Sequence, residues 1–79
     1  MKLIYDPKHN IGYIHFREKP AQVETVHISE ELNIDLAPDG TLYGIELLNA
    51  NEQLAGGEVN KLVVEDPSTG THSEILLPA

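Results

Sequence analysis

The stretch "DLAPDGTLYGIE", residues 35–46, decides the fold. Set against the EF-hand calcium loop, it places Asp35 at position 1, Asp39 at 5, Gly40 at 6 and Glu46 at 12. Position 3 is Ala37, which has no side-chain oxygen, and position 4 is Pro38, which fixes φ where a calcium loop must wrap its ion. The flanks are not helical. Leu32, Ile34 and Leu36 alternate with Asn33 and Asp35 at period two, and Thr41 to Leu48 is equally β-like. Pro at the second place of a turn and Gly at the fourth describe a type I turn with a left-handed glycine, which joins antiparallel strands. The segment therefore predicts a β-hairpin, with Asp39 and Gly40 serving the turn and Asp35 and Glu46 spread along an outward surface.

Working outward, short β-like runs separated by turn residues recur about every ten residues. Lys2 to Tyr5 stops at Asp6-Pro7-Lys8-His9-Asn10. Ile11 to Arg17 places Gly12, Ile14 and Phe16 on one face, with Ile11, Tyr13 and His15 on the other. Glu18-Lys19-Pro20-Ala21 breaks it. Gln22 to Ile28 follows, with Glu24, Val26 and Ile28 on one face. In the fifth run, Tyr43, Ile45 and Leu47 oppose Leu42, Gly44, Glu46 and Leu48.

Asn49 and Glu52 have the spacing of a capping box, predicting one or two helical turns near 49–55 that end at Gly56-Gly57. Val59 to Asp66 and Thr71 to Leu77, joined by Pro67-Ser68-Thr69-Gly70, read as a second hairpin. The fold class is mainly β: an antiparallel meander of about seven short strands with one short helix. The 79 residues form a single domain, with a C-terminal hairpin extension over 56–79.

A core this small is marginal, and with no Cys there is no disulfide or thiolate metal site to staple it. Burying a sheet face against a second copy is one remedy, so a homodimer is expected. The formal charge is −8, from 13 acidic and five basic residues. The basic residues do not cluster, which argues against nucleic acid, since phosphate binding works by displacing counterions with clustered cations. A basic protein partner is electrostatically suited to the chain. Met1 to Tyr5 runs straight into Asp6-Pro7, so neither a signal peptide nor a membrane span is expected, and the cytoplasm is the expected compartment.

His9, His15, His27 and His72 show no metal-ligand spacing, although His15 and His27 fall on consecutive runs and are expected to approach each other. No nucleophile elbow or phosphate loop is present. No catalytic, cofactor-binding or metal residues are assigned, and no cofactor is expected. The interaction candidates are Gly44, Glu46, Asp35, Asp39 and Arg17. Gly44 inside a strand signals a bulge or a close backbone approach. Glu46 has three suggested uses: capping the turn at Asn49, pairing with Arg17, or sitting at an interface.

Tyr5-Asp6-Pro7, "YIHF" at 13–16, "VET" at 23–25 and "IDLAPDGTLYGIELLNANEQL" at 34–54 resemble a bacterial family of small proteins, the domain of unknown function 2283. The resemblance spans about residues 1–55 and is most specific around Gly40, Gly44, Ile45 and Glu46. It departs at Asn10-Ile11-Gly12, at Ala37-Pro38 and at Asn51. It implies no activity or cofactor. Some members lie beside small toxin-like proteins, so the resemblance implies an antitoxin-like role as one version of a non-enzymatic interaction domain. The alternatives are a metal- or small-ligand-binding domain or enzyme using Asp35, Glu46 and a strand histidine, and a purely structural module.

Overall fold

The segment around Gly40 folds as a hairpin in the computed structural model, which describes residues 1–18, 22–54 and 61–77. Ala37 N–H donates to Thr41 O, and Gly40 N–H donates to Ala37 O, both at 2.9 Å. Gly40 has φ 85°, the left-handed geometry that a side chain resists. The same solution recurs at Gly70, φ 72°, whose N–H donates to Asp66 O at 2.9 Å.

The described residues form seven strands and one short helix in chain order: β1 Lys2–Asp6, β2 Ile11–His15, β3 Glu24–Ser29, β4 Leu32–Leu36, β5 Leu42–Leu48, α1 Ala50–Gln53, β6 Lys61–Asp66 and β7 Thr71–Leu76. All pairings are antiparallel. The mainly-β architecture with one short helix is the one the alternation predicts. Most of the break predicted at 18–21, the predicted helix's last residue at 55, its end at Gly56-Gly57 and the start of the run predicted from Val59 lie outside the described residues.

Strands β1 to β5 form one sheet in the order β1-β2-β5-β4-β3, and β6 and β7 form a separate two-stranded sheet. A hairpin, β1–β2, and a three-stranded meander, β3–β4–β5, are thus joined side by side, with β2 against β5. The chain leaves β2 near the start of β5 and enters β3 at the opposite edge. Phe16 N–H donates to Tyr43 O at 2.9 Å and Arg17 Nη1 to Thr41 Oγ1 at 3.1 Å, fixing the start of this connection beside the β4–β5 turn. His15 and His27 are consequently not neighbours. Strands β5 and β4 stand between theirs, because β2 pairs with a strand far along the chain instead of the next one.

The register separates the two faces sharply. Leu3, Ile14, Ile45, Ile34 and Val26 are mutual partners across all five strands, an aliphatic row on one face. Ile4, Tyr13, Glu46, Asn33 and His27 form the adjacent row on the other. The side-chain period of two makes this division strict unless a bulge intervenes. One does. Asp35 pairs with Gly44 but Leu36 pairs with Leu42, leaving Tyr43 as the extra residue. The bulge turns Tyr43 away from Ile45 and Leu47, with which simple alternation groups it, and sets its ring edge-on to His15, centroids 4.9 Å apart. Tyr43, at 8% exposure, and Ala50 are the buried hydrophobic residues among those described.

The helix is capped differently from the capping box the sequence suggests. Asn49 adopts left-handed φ 54° and makes no side-chain cap bond to the helix amides. Its side chain instead donates to Glu52 Oε2 at 3.0 Å. The first-turn amides are satisfied from the β1–β2 turn: Ala50 N–H donates to Asn10 O at 3.0 Å and Asn51 N–H to Asn10 Oδ1 at 2.8 Å. A helix N-terminus leaves several N–H groups unpaired, and Asn10 supplies two of the acceptors. Ala50 Cβ and Leu54 Cδ1 then rest 3.4 Å from where a side chain on Gly12 would begin, so α1 covers the Gly12 end of the apolar face.

Candidate functional site: the polar face of the sheet

The polar face is built around Asp35. Strand β4 presents its carboxylate opposite Gly44 of β5 and Thr25 of β3. Tyr13 reaches over from β2 and donates its hydroxyl to Asp35 Oδ2 at 2.7 Å, while Thr25 Oγ1 donates to Oδ1 at 2.6 Å. Tyr13 spans the sheet because Gly44 has no side chain. A Cβ there would lie 2.6 Å from Tyr13 Cζ and 2.9 Å from Cε1, inside any real contact. The glycine that sequence reading marks as a bulge or a close approach is both. It lies at the bulge, and an aromatic ring covers it.

Burial of the phenol, reinforced by the Asp35 carboxylate that its proton bridges, raises the Tyr13 pKa well above the ordinary phenol value. The folded state thus holds this proton more tightly than the unfolded chain does. Its contribution to stability is fully present below the unfolded value of about 10 and is lost as pH rises toward the higher folded value. In a spectrophotometric titration of the folded protein, one tyrosine is expected to ionise late, and Tyr13→Phe to abolish that late step. Ionisation of every tyrosine in the ordinary range would contradict the half-buried Tyr13–Asp35 bond.

A second chain of bonds runs beside the first. Asn33 Nδ2 donates to Glu46 Oε1 at 2.9 Å, and His27 Nδ1 lies 2.9 Å from Asn33 Oδ1. With the Asn33 amide oriented toward Glu46, His27 carries the proton on Nδ1 and donates it. Asp35 and Glu46 are half-buried and each is oriented by neutral donors. The ion pairs among the described residues are His9–Asp6 and Lys61–Glu74, so neither Asp35 nor Glu46 has a cation of the described residues at salt-bridge distance. Near Asp35 the face hollows into an open concavity of about 860 Å³, with Tyr13, Thr25, Pro38 and Tyr43 in its lining. His15 Nε2, beside Tyr43, is closed off from solvent with no hydrogen-bond partner among the described residues.

The five candidates fall into two groups. Gly44, Glu46 and Asp35 come together on the polar face. Asp39 and Arg17 sit at the β4–β5 turn, joined through Thr41: Arg17 donates to Thr41 Oγ1, whose hydroxyl donates to Asp39 Oδ1 at 2.6 Å. The Thr41 side-chain hydroxyl, then its backbone N–H, hold the Asp39 carboxyl below the usual value. Glu46 therefore neither caps Asn49 nor pairs with Arg17. Its strand carries it to Asn33, while Arg17 is held at the turn. Tyr13, Thr25 and Asn33 were missed by sequence reading. Their one signal is polar residues at outward positions of three strands, which assigns no partner until the register is known.

No helix of the described residues is long and apolar enough to cross a membrane. The chain matches no curated protein and no solved structure. The model of the family described as protein of unknown function (DUF2283) matches residues 2–51, the five-stranded sheet with the start of α1, and the chain belongs to that family.

Proposed function

We propose that this chain is a non-enzymatic protein-interaction domain that receives a basic partner on the polar face of its sheet. The observation that supports this reading most directly is the pair of carboxylates, Asp35 and Glu46, oriented by Tyr13, Thr25 and Asn33 and lacking a counter-cation among the described residues. A carboxylate accepts up to about four hydrogen bonds, so Asp35 retains acceptor capacity for an arginine guanidinium, which suits bidentate pairing. The charge of −8 favours encounter with such a partner. A basic toxin-like protein is the concrete version implied by the family resemblance.

The test is calorimetric titration of the full chain with a synthetic arginine-rich peptide at two salt concentrations. Binding is expected to weaken at the higher salt. Replacing both Asp35→Asn and Glu46→Gln, which keep shape and remove charge, is expected to lower affinity by roughly tenfold or more. Absence of binding, or binding indifferent to the double substitution, would remove this reading.

A further inference from the structure

We infer that the aliphatic face of the five-stranded sheet is an interface between two copies of this chain, packed sheet on sheet. The row Leu3, Ile14, Ile45, Ile34 and Val26 crosses the whole sheet through cross-strand partners, and each of these side chains is only half-buried. Helix α1 cannot cover them. Its four residues extend about 6 Å, whereas five strands span about 19 Å. It rests over Gly12, one row away.

The exposed area is large for a chain of this mass. A compact monomer of 8.7 kDa exposes about 4,700 Å² by the usual scaling with mass, and this chain exposes 5795 Å². The excess is on the order of 1,000 Å², against the ~800 Å² that each partner contributes to a stable interface. The uncovered face and the exposed hairpin β6–β7 share that excess.

The occupant is a second copy for two further reasons. The row contains no charged residue, and Glu24, on the same strand face as Val26, lies out on the edge strand β3, so two chains of −8 meet at the row without apposing like charges at its centre, whereas Asp35 and Glu46 point from the other side. A flat aliphatic row is also self-complementary about a two-fold axis, the commonest symmetry of soluble homo-oligomers, and aligned sheets pack this way at about 10 Å. The dimer then supplies the core that a single chain lacks, and it leaves both polar faces outward.

The experiment is sedimentation equilibrium of the full chain at micromolar concentration, followed by a cysteine scan. The wild type is expected at twice 8.7 kDa, and Ile34→Glu is expected to weaken association by roughly a hundredfold or more. Ile34→Glu also risks unfolding, so the scan supplies an independent measure. The chain has no native Cys. Ile14→Cys, Ile45→Cys and Ile34→Cys, each made singly, are expected to yield at least one oxidised covalent dimer, while Thr25→Cys on the polar face yields none. A monomeric wild type overturns the inference. So does a dimer that forms cross-links through Leu62→Cys of the hairpin but through none of the three sheet positions.

Discussion

Gly44→Ala is expected to destabilise the protein by about 2–4 kcal/mol, combining overpacking with loss of a hydrogen bond to a charged acceptor. The added methyl would occupy space held by the Tyr13 ring, with Cζ 2.6 Å away. The ring is rigid and must lift as a unit, which breaks its 2.7 Å bond to Asp35 and leaves that half-buried carboxylate with Thr25 alone. A chain of this length has only about 4–12 kcal/mol of total stability, so the change removes a large part of it. The backbone is not the cause, because Gly44 does not have the positive φ found at Gly40 and Gly70.

A double-mutant cycle isolates the mechanism. A Tyr13→Ala background removes the three atoms nearest the added methyl, and Gly44→Ala should then be neutral or stabilising by about 0.5–1 kcal/mol, since alanine is the better strand residue. Urea denaturation of the four proteins at one protein concentration reads this directly. The cost of Gly44→Ala should vanish or change sign in the Tyr13→Ala background. Equal cost in both would mean that Tyr13 is not what requires the glycine.

That glycine was legible because its signal is local: a residue without a side chain inside an otherwise regular strand. The Asp39-Gly40 turn and the alternation of Leu32, Ile34 and Leu36 were legible for the same reason, since turn chemistry and period two act within a few residues. What the sequence hides is long-range. That β2 pairs with β5 instead of β3 depends on which apolar faces align, and consecutive runs give no sign of it. One extra residue in β5 moved Tyr43 to the other face, and no composition rule marks that position. The Tyr13–Asp35–Thr25 network joins residues 22 and 10 apart, legible only once three strands share a register. The division of the sheet into an aliphatic face and an acceptor-rich face follows from both levels. Alternation creates two faces on each strand, and strand order decides that like faces coincide.

Asn10 shows how much one unremarkable turn residue can hold. Its side chain donates to Asn49 Oδ1 at 3.2 Å and to Asn51 Oδ1 at 2.8 Å, and accepts from Asn51 N–H at 2.8 Å. Its backbone is left-handed, φ 57°, a conformation that asparagine tolerates and alanine resists. Asn10→Gly removes the side-chain bonds and relieves the backbone, and is expected to cost about 1–2 kcal/mol, the range of a lost helix cap. Asn10→Ala removes the same bonds and adds left-handed strain, so it should cost about 1–2 kcal/mol more than the glycine variant. The damage should be local. Amide exchange at Leu54, whose N–H bonds Ala50 O at 2.8 Å, should accelerate as α1 loosens from Gly12, beyond any change at Ile45 in the middle of the sheet. Equal cost for the two variants would exclude the backbone contribution. Unchanged exchange at Leu54 would show that α1 holds to the sheet through Ala50 and Leu54 packing alone, without the cap from Asn10.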